Sequence, residues 1–437
     1  MFCGIDLGTT NSLIGHGDEL FTGLVSSSVD IDTKSQVTRD AVGDNIVSSY
    51  KTNMTIGDDG QLPIACSSVI LKHLCEKASK RTGQEIKDVV VSVPAKFTHT
   101  QRQAVWKAAE MAGLNIKGLI NEPTAAALYV CKDLKDLVVV YDLGGGTFDV
   151  TIIDSRCGNY YVVDTNGRIL AGDDFDEALA DLAYEELKIK VRFRSGELAK
   201  KFLKEIRTAK EILQVEGLTQ YLDMSDYGYN GEWELTVDKY IETMKKVFQI
   251  TIDLTKSMIA TSLDSNEKPS LVFVGGSTAC PYLKKWVTQE VGLEVLDYDI
   301  KPDYVVARGV ALYAKMLEEG TAQKEVDDVT KRLCIEDELG RSITVIEKNT
   351  TIPVSQFISV HNTIDCDKLE LNLYQGDSIL CSENDYIGTL IYDYGQMVKA
   401  EEGFVQVTVT VDRDGRVSLI GEDILTGMKQ DVKLVVR

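Results

Sequence analysis

The sequence predicts an α/β domain of two similar lobes, followed by a small antiparallel β domain. Three observations carry this expectation. Residues 1 to about 320 alternate apolar strand segments with helical ones, as in a sheet covered by helices. The stretch FCGIDLGTTNSLI near the start is echoed by VVVYDLGGGTFDVTII around Asp142: an apolar strand, Asp-Leu-Gly, small residues with threonine, then another strand. After about residue 330 the apolar residues alternate strictly with polar ones, as in strands with one buried face.

The elements follow in order. Asp88–Val93, Leu137–Asp142, Thr151–Asp154 and Leu271–Val274 are strand-length apolar runs. A helix starts at Thr98 or Thr100 as cap, lines one face with Ala104, Val105, Ala108, Ala109 and Ala112, and stops at Gly113. Further helices are expected over about 174–190, 197–215 and 237–262. The polar, charged stretch EEGTAQKEVDDVTK (318–331) reads as a linker. The expected domains are therefore 1–320 and 332–437, joined by 321–331. In the second, Leu369, Leu371 and Leu373 alternate with Glu370, Asn372 and Tyr374, and Val405, Val407, Val409 and Val411 with Gln406, Thr408, Thr410 and Asp412. Asp414-Gly415 makes a tight turn before Val417 and Leu419.

Composition narrows the function. A chain of 437 residues has room for two or three domains, and 44% hydrophobic residues exclude wholesale disorder. The 47 basic and 68 acidic residues leave a net charge of −21, which repels phosphate backbones and anionic lipid. Nucleic acid and membrane surfaces are therefore not expected as partners, and any bound anion needs backbone amides or a metal ion. The longest apolar runs, such as Leu137–Tyr141, are far shorter than a membrane-spanning helix. The N-terminus carries no Lys or Arg before Lys34, unlike a secretory signal. Nine scattered cysteines without a CxxC pair fit reduced thiols in a cytoplasm. The isolated His16, His73, His99 and His361 show no metal-ligand spacing.

The chemistry lies in the two Asp-Leu-Gly units. Glycines let successive amides approach an anion as a concave cradle, here from Gly8 to Asn11 and from Gly144 to Thr147, and threonine hydroxyls add donors. An aspartate at a strand end can hold Mg²⁺ through its water shell. Two cradles and two carboxylates suit a nucleoside triphosphate with its metal. No G-x-x-x-x-G-K-[ST] occurs, which excludes a P-loop, and no G-x-G-x-x-G follows a strand, which argues against a Rossmann site. Gly275-Gly276-Ser277-Thr278 after an apolar strand could contact the sugar and α-phosphate, or be an ordinary strand-to-helix turn. Glu122-Pro123 opens a helix; the glutamate either serves the helix dipole or points into the cleft and orients a water.

Together IDLGTTNS (5–12), VVVSVPAKF (89–97), AAEMAGL (108–114), LINEPTAAAL (119–128), YDLGGGTFDVTI (141–152), LAGDDFD (170–176), FVGGST (273–278) and IEKNTTIPV (346–354) resemble the DnaK-type, heat shock protein 70 chaperone family over essentially the whole chain. The resemblance implies the actin and sugar-kinase fold, in agreement with the duplicated lobes. It implies ATP or ADP with Mg²⁺ and potassium as cofactors. Asp6, Asp142 and Asp149 would surround the metals, while Gly8, Thr9, Thr10, Asn11 and Gly144, Gly145, Gly146 and Thr147 would hold phosphate oxygens. Glu122 and Thr147 would position the attacking water beside Asp149. Lys51 matches a family lysine at the γ-phosphate, although Thr52 stands where an arginine is usual. Lys210, Gly275, Gly276, Ser277 and Asp303 match the adenosine side, but Arg207, Glu211, Gln214 and Ala279 replace its usual residues. In the C-terminal β-sandwich, Ser342, Leu369 and Leu371 fall near the family's groove for extended peptides, where the leucines serve equally well as sandwich core.

Several positions depart from the pattern. The helical lid that closes over peptide is missing after DVKLVVR, so a docked peptide should leave faster. Glu325, Val326 and Asp327 replace the linker's leucines, and Gly118 replaces the arginine that contacts a J-domain co-chaperone. The region between Ser12 and Val69 is shortened. The expected function is a slow ATP-hydrolysing chaperone, with unfolded peptides and a nucleotide-exchange factor as partners. A metabolite kinase on the same fold, or a nucleotide-binding module without turnover, are the alternatives.

Overall fold

A computed structural model describes the chain apart from residues 39–40, 42, 44, 56–59, 132–135, 157–159, 194–195, 323–330, 349, 413–414, 433 and 436–437. Its contacts form two units, one of Met1–Thr52, Ala65–Pro94 and Ala108–Gln323, the other of Asn53–Ile64, Ala95–Lys107 and Lys324–Arg437.

In the first unit, strands β1 (Cys3–Leu7), β2 (Asn11–His16), β3 (Glu19–Leu20) and β4 (Val25–Ser26) lead to a small sheet of β5 (Ser28–Asp30), β6 (Ser35–Val37) and β7 (Ile46–Val47). With β8 (Asp88–Val93) and β9 (Asn115–Asn121) the first sheet has the order β3-β2-β1-β8-β9, and β4 pairs with β2. A second sheet runs β12-β11-β10-β15, from β10 (Leu137–Leu143), β11 (Phe148–Asp154), β12 (Tyr161–Arg168) and β15 (Ser270–Val274). Between these, β13 (Gln220–Asp223) and β14 (Glu232–Leu235) form a separate hairpin. The sequence echo reappears as topology. Each Asp-Leu-Gly strand pairs antiparallel with the strand that follows it and parallel with a later one, β1 with β2 and β8, β10 with β11 and β15.

The helices are α1 (Gln61–Thr82), α2 (His99–Met111), α3 (Glu122–Val130), α4 (Gly172–Glu186), α5 (Gly196–Glu216), α6 (Val237–Ser262), α7 (Pro281–Val291) and α8 (Val305–Glu318). Helix α2 begins as its sequence predicts: the Thr98 amide donates to Gln101 Oε1 at 2.9 Å, the reach-back half of a capping box. Helix α4 spans 172–186 instead of the expected 174–190. The Asp174 carboxylate accepts from the Ala171 amide at 2.7 Å and sets an earlier start. Lys188, with φ of 54°, ends it sooner.

Strand β10 shows why a continuous apolar run was needed. Val139, Tyr141 and Leu143 enter one core with Phe175, Phe202 and Phe248, while Val138 and Val140 enter another with Ala125, Ala126 and Val310. A strand covered on both faces has no polar side to show. Helices α3 and α8 cross at very close range. A Cβ on Gly309 would lie 1.8 Å from the Ala125 carbonyl oxygen, and one on Gly4 of β1 would lie 2.3 Å from the Val310 carbonyl oxygen. Gly309→Val therefore forces α8 off α3 and is expected to cost about 3 kcal/mol or more. A thermal melt unchanged from the parent would contradict this crossing.

In the second unit, β16 (Leu333–Glu336), β17 (Ser342–Ile346), β18 (Val354–His361), β19 (Cys366–Gln375), β20 (Asp385–Val398), β21 (Phe404–Val411), β22 (Val417–Asp423), β23 (Lys429–Val432) and β24 (Leu434–Val435) make two antiparallel sheets. Their orders are β17-β16-β19-β20-β24 and β18-β21-β22-β23. One core joins Leu333, Ile335, Leu369 and Leu373 of the first sheet to Val405, Val407, Val409 and Val411 of the second. The valine alternation seen in the sequence is thus one buried face. Gly415, with φ of 72°, makes the predicted turn before β22, while Asp414 lies outside the described residues. So do residues 323–330, which hold most of the expected linker, with Glu325, Val326 and Asp327.

Candidate functional site

The first unit brings the two Asp-Leu-Gly turns together. Asp6 lies near the end of β1, and Asp142 and Asp149 sit opposite each other in the β10–β11 register, flanking the Gly144–Thr147 turn. A Cβ on Gly145 would lie 2.1 Å from Thr10 Oγ1, and one on Gly146 would lie 3.1 Å from Thr9 Cγ2. The loops therefore abut, and only glycine allows the approach. The Gly8 loop is also tight, since a Cβ there would lie 2.1 Å from the Asn11 carbonyl oxygen. Thr10 Oγ1 is buried and has no hydrogen-bond partner among the described residues. A buried hydroxyl left unsatisfied between two glycine turns is a donor held ready for a ligand oxygen.

Carboxylates crowd this junction. Ser92 of β8 donates to Asp6 Oδ1 at 2.9 Å. Glu122 opens α3 directly after β9 and pairs with Lys51, whose side chain is only 4% exposed. Burial first, and then the charge of Glu122, push the Asp6 carboxyl up to about 7, against the pull of Lys51 and Ser92. Burial likewise raises Asp142 well above the usual carboxylate range, helped by Glu122, Asp149 and Asp6. Lys51 is thus the cation that acts on both aspartates, and the negative charge around it is in excess.

The third glycine element closes onto the second. Gly275 has φ of 84°, and a Cβ there would lie 2.6 Å from Asp142 Oδ1. A Cβ on Gly276 would lie 2.6 Å from Asp303 Oδ1, and Ser277 Oγ donates to the Gly144 carbonyl at 2.8 Å. The Gly172 and Asp173 amides donate to the Gly144 and Gly145 carbonyls at 3.2 and 2.7 Å. Gly275, Gly276, Ser277 and Asp303 therefore stand together beside the Gly144–Thr147 turn.

Lys210 is buried. Its ammonium pairs with Asp176 at 2.6 Å and donates to the Gly172 carbonyl at 2.9 Å. Arg207 joins the same group, bonding Asp176 at 2.6 Å and Asp173 at 2.7 Å, and Ser49 donates to Asp173 at 3.1 Å. Gln214 donates to Tyr240 Oη at 2.6 Å. Arg207 and Gln214, two of the unusual residues on the expected adenosine side, are therefore engaged with protein groups. Sequence reasoning missed Ser92, Ser49, Asp173 and Asp176 as contributors. LAGDDFD was a signal for the two aspartates. Ser92 and Ser49 had none, because a serine's role depends on which strand or loop lies across from it.

In the second unit, Ser342 and the two leucines are not neighbours along the sheet, because β16 separates β17 from β19. The Ser342 hydroxyl donates to the Ser378 carbonyl at 2.9 Å and accepts from Asn384 Nδ2 at 2.9 Å. Leu369 is core, and Leu371 is half-buried against it.

The residues fit a metal-bound nucleotide. The glycine cradles, the unsatisfied Thr10 hydroxyl and the excess negative charge match an anion bridged by a cation. Among the described residues no His, Cys, Asp or Glu cluster forms a direct ligand cage. Mg²⁺ keeps most of its waters, and Asp6, Asp142 and Asp149 would hold it through them. No helix among the described residues is long and apolar enough to cross a membrane. Comparison with known families gives a match that starts beyond Asp6 and the Gly8–Asn11 loop, so the place of those residues rests on the geometry above. The family model described as Hsp70 protein matches residues 27–436, and the chain belongs to the Hsp70 family.

Proposed function

We propose that this protein is an ATP-dependent chaperone of the DnaK type, with a two-lobed ATPase domain over 1–320 and a peptide-binding β-sandwich over 332–437. Hsp70 proteins have an actin-like ATPase fold, bind nucleotide with Mg²⁺ and take peptide substrates. The observation that carries the reading is the crowd of Asp6, Glu122 and Asp142 around Lys51, with Asp149 opposite Asp142, where two glycine turns meet.

Mg²⁺, when bound, would offset the developing charge of phosphoryl transfer. The remaining work belongs to the chain. Gly144–Thr147 and Gly8–Asn11 present amides and hydroxyls to phosphate oxygens. Glu122 and Thr147 orient the water, and Asp149 stands beside them. Lys51 holds Glu122 in place and supplies positive charge at the γ-phosphate. Potassium would sit with Asp6, Asp142 and Asp149. No covalent nucleophile is required, so the rate rests on positioning and electrostatics, and hydrolysis is slow. Unfolded peptides and a nucleotide-exchange factor are the partners, in a cytoplasmic setting.

A nucleotide-binding module without turnover draws support from the engaged state of Arg207 and Gln214. Titration calorimetry with ATP and ADP, with and without Mg²⁺, tests the common core of both readings, and the expected result is magnesium-dependent uptake. Fluorescence anisotropy of a labelled unfolded peptide then tests the chaperone reading, with faster peptide release expected on adding ATP. No uptake of either nucleotide would end both readings, and peptide release indifferent to ATP would end the chaperone reading.

A further inference from the structure

Strand β16 sends Leu333 and Ile335 into the core, so Cys334 faces the other side of the sheet. Loop 376–384 folds over that side. Arg332 Nη2 donates to the Asp377 and Ser378 carbonyls at 2.7 and 3.2 Å, the Ser342 amide to the Ile379 carbonyl at 2.8 Å, and the Cys381 amide to the Gly340 carbonyl at 3.0 Å. The loop thereby lowers Cys381 onto β16. Its Sγ lies 4.0 Å from the carbonyl oxygen of Ile335, the residue after Cys334, and 3.5 Å from Ser342 Oγ. Asn384 Nδ2 lies 3.9 Å from Cys334 Sγ and 2.9 Å from Ser342 Oγ, so one amide reaches the surroundings of both sulfurs. The Cys381 thiol also acts electrostatically on the Cys334 thiol and helps to hold it up. Both are fully buried.

We propose that Cys334 and Cys381 are a reversible redox pair whose disulfide pins loop 376–384 to β16. With oxidised glutathione as the oxidant, one protein thiolate attacks a glutathione sulfur and displaces glutathione thiolate, leaving a mixed disulfide. The second protein thiolate attacks the protein-bound sulfur of that intermediate and releases the other glutathione. Two protein thiols lose two protons and two electrons, and one glutathione disulfide becomes two glutathiones. Burial slows the first attack, because it holds the Cys334 thiol up and excludes the oxidant. Reaction therefore proceeds when the loop lifts. The loop is a surface element, with Ile379 72% and Leu380 46% exposed, and Leu339 on the facing turn is 72% exposed. The bond fixes the spacing of these apolar side chains, so oxidation sets the shape of an exposed apolar patch.

The test uses the full chain, reduced and then incubated with excess oxidised glutathione at alkaline pH. Free thiols are capped with iodoacetamide, and a non-reduced digest is read by mass spectrometry. The expected product is a linked peptide pair carrying Cys334 and Cys381, lighter by about 2 Da than the two reduced peptides together and lost on reduction. Amide hydrogen exchange across 376–384 is expected to slow by about tenfold in the linked protein. Cys334→Ser and Cys381→Ser should each abolish the linked pair. If either variant fails to fold, the parent digest still decides. Recovery of both cysteines as capped thiols or as separate glutathione adducts would overturn the pair, and a linked pair with unchanged exchange would overturn the pinning.

Discussion

Glu122→Gln is expected to lower phosphate release about a hundredfold or more while nucleotide uptake stays within a few-fold of the parent. The reason is the position of this carboxylate. It opens α3 at the end of β9, held by Lys51, and it acts electrostatically on both Asp6 and Asp142. Glutamine keeps the size and loses the charge and the acceptor strength. The fold should tolerate the change, because one negative charge leaves a crowded group and Lys51 keeps Asp6 and Asp142 nearby. Single-turnover phosphate release beside calorimetric binding separates the two effects. A second readout follows from the charge itself: with Glu122 neutral, the Asp6 carboxyl should titrate lower than in the parent. Equal phosphate release by parent and variant would remove Glu122 from the chemistry and favour the module without turnover.

Asp6→Asn should make the nucleotide-free protein more stable at pH 8 and abolish its response to magnesium nucleotide. The sign follows from linkage. Asp6 titrates near 7 in the folded chain, against 3.8 as its ordinary value. The folded state therefore binds the proton more tightly, and stability from this group is lost as pH rises from about 4 through 7. Asparagine carries no charge at any pH, so its advantage grows across that window and levels off above it. The shift bounds the gain at roughly 4 kcal/mol, and the other carboxylates share it. At roughly 2–4 °C per kcal/mol for a domain of this size, a melting-temperature gain of several degrees is expected. Melting curves from pH 5 to 8.5, with and without Mg²⁺ and ADP, check it. An Asp6→Asn protein less stable than the parent at pH 8 would show that the carboxylate is satisfied within the fold instead of awaiting a cation.

These two experiments probe a site that trades stability for binding. On the proposed function, the crowded carboxylates cost folding energy that a bound cation would offset, and the cost is visible in the raised Asp6 and Asp142. The Thr10 hydroxyl is a smaller instance of the same trade.

Much of the fold and of the site is legible in the sequence. The duplicated Asp-Leu-Gly turns were read as a pair, and β1 and β10 do occupy equivalent places in their sheets. Helix α6 was read over 237–262, which is its extent, because its apolar face repeats for seven turns without a breaker. The start of α4 was misplaced by two residues, because the Asp174 cap bonds backwards to Ala171.

Local periodicity, and what glycine and aspartate do at a strand end, set the strands at Asp88–Val93, Leu137–Asp142 and Leu271–Val274, the paired turns with their acidic residues, and the alternating valines of the second unit. Packing alone decides that Ser92 bonds Asp6, that Lys51 reaches Glu122, that Arg207 turns to Asp173 and Asp176, that Gly309 lies against Ala125, and that Cys381 comes down on β16 at Ile335. Each of those contacts joins residues from different elements. The partner in such a contact is set by how the sheets and helices pack, which no short stretch of sequence encodes.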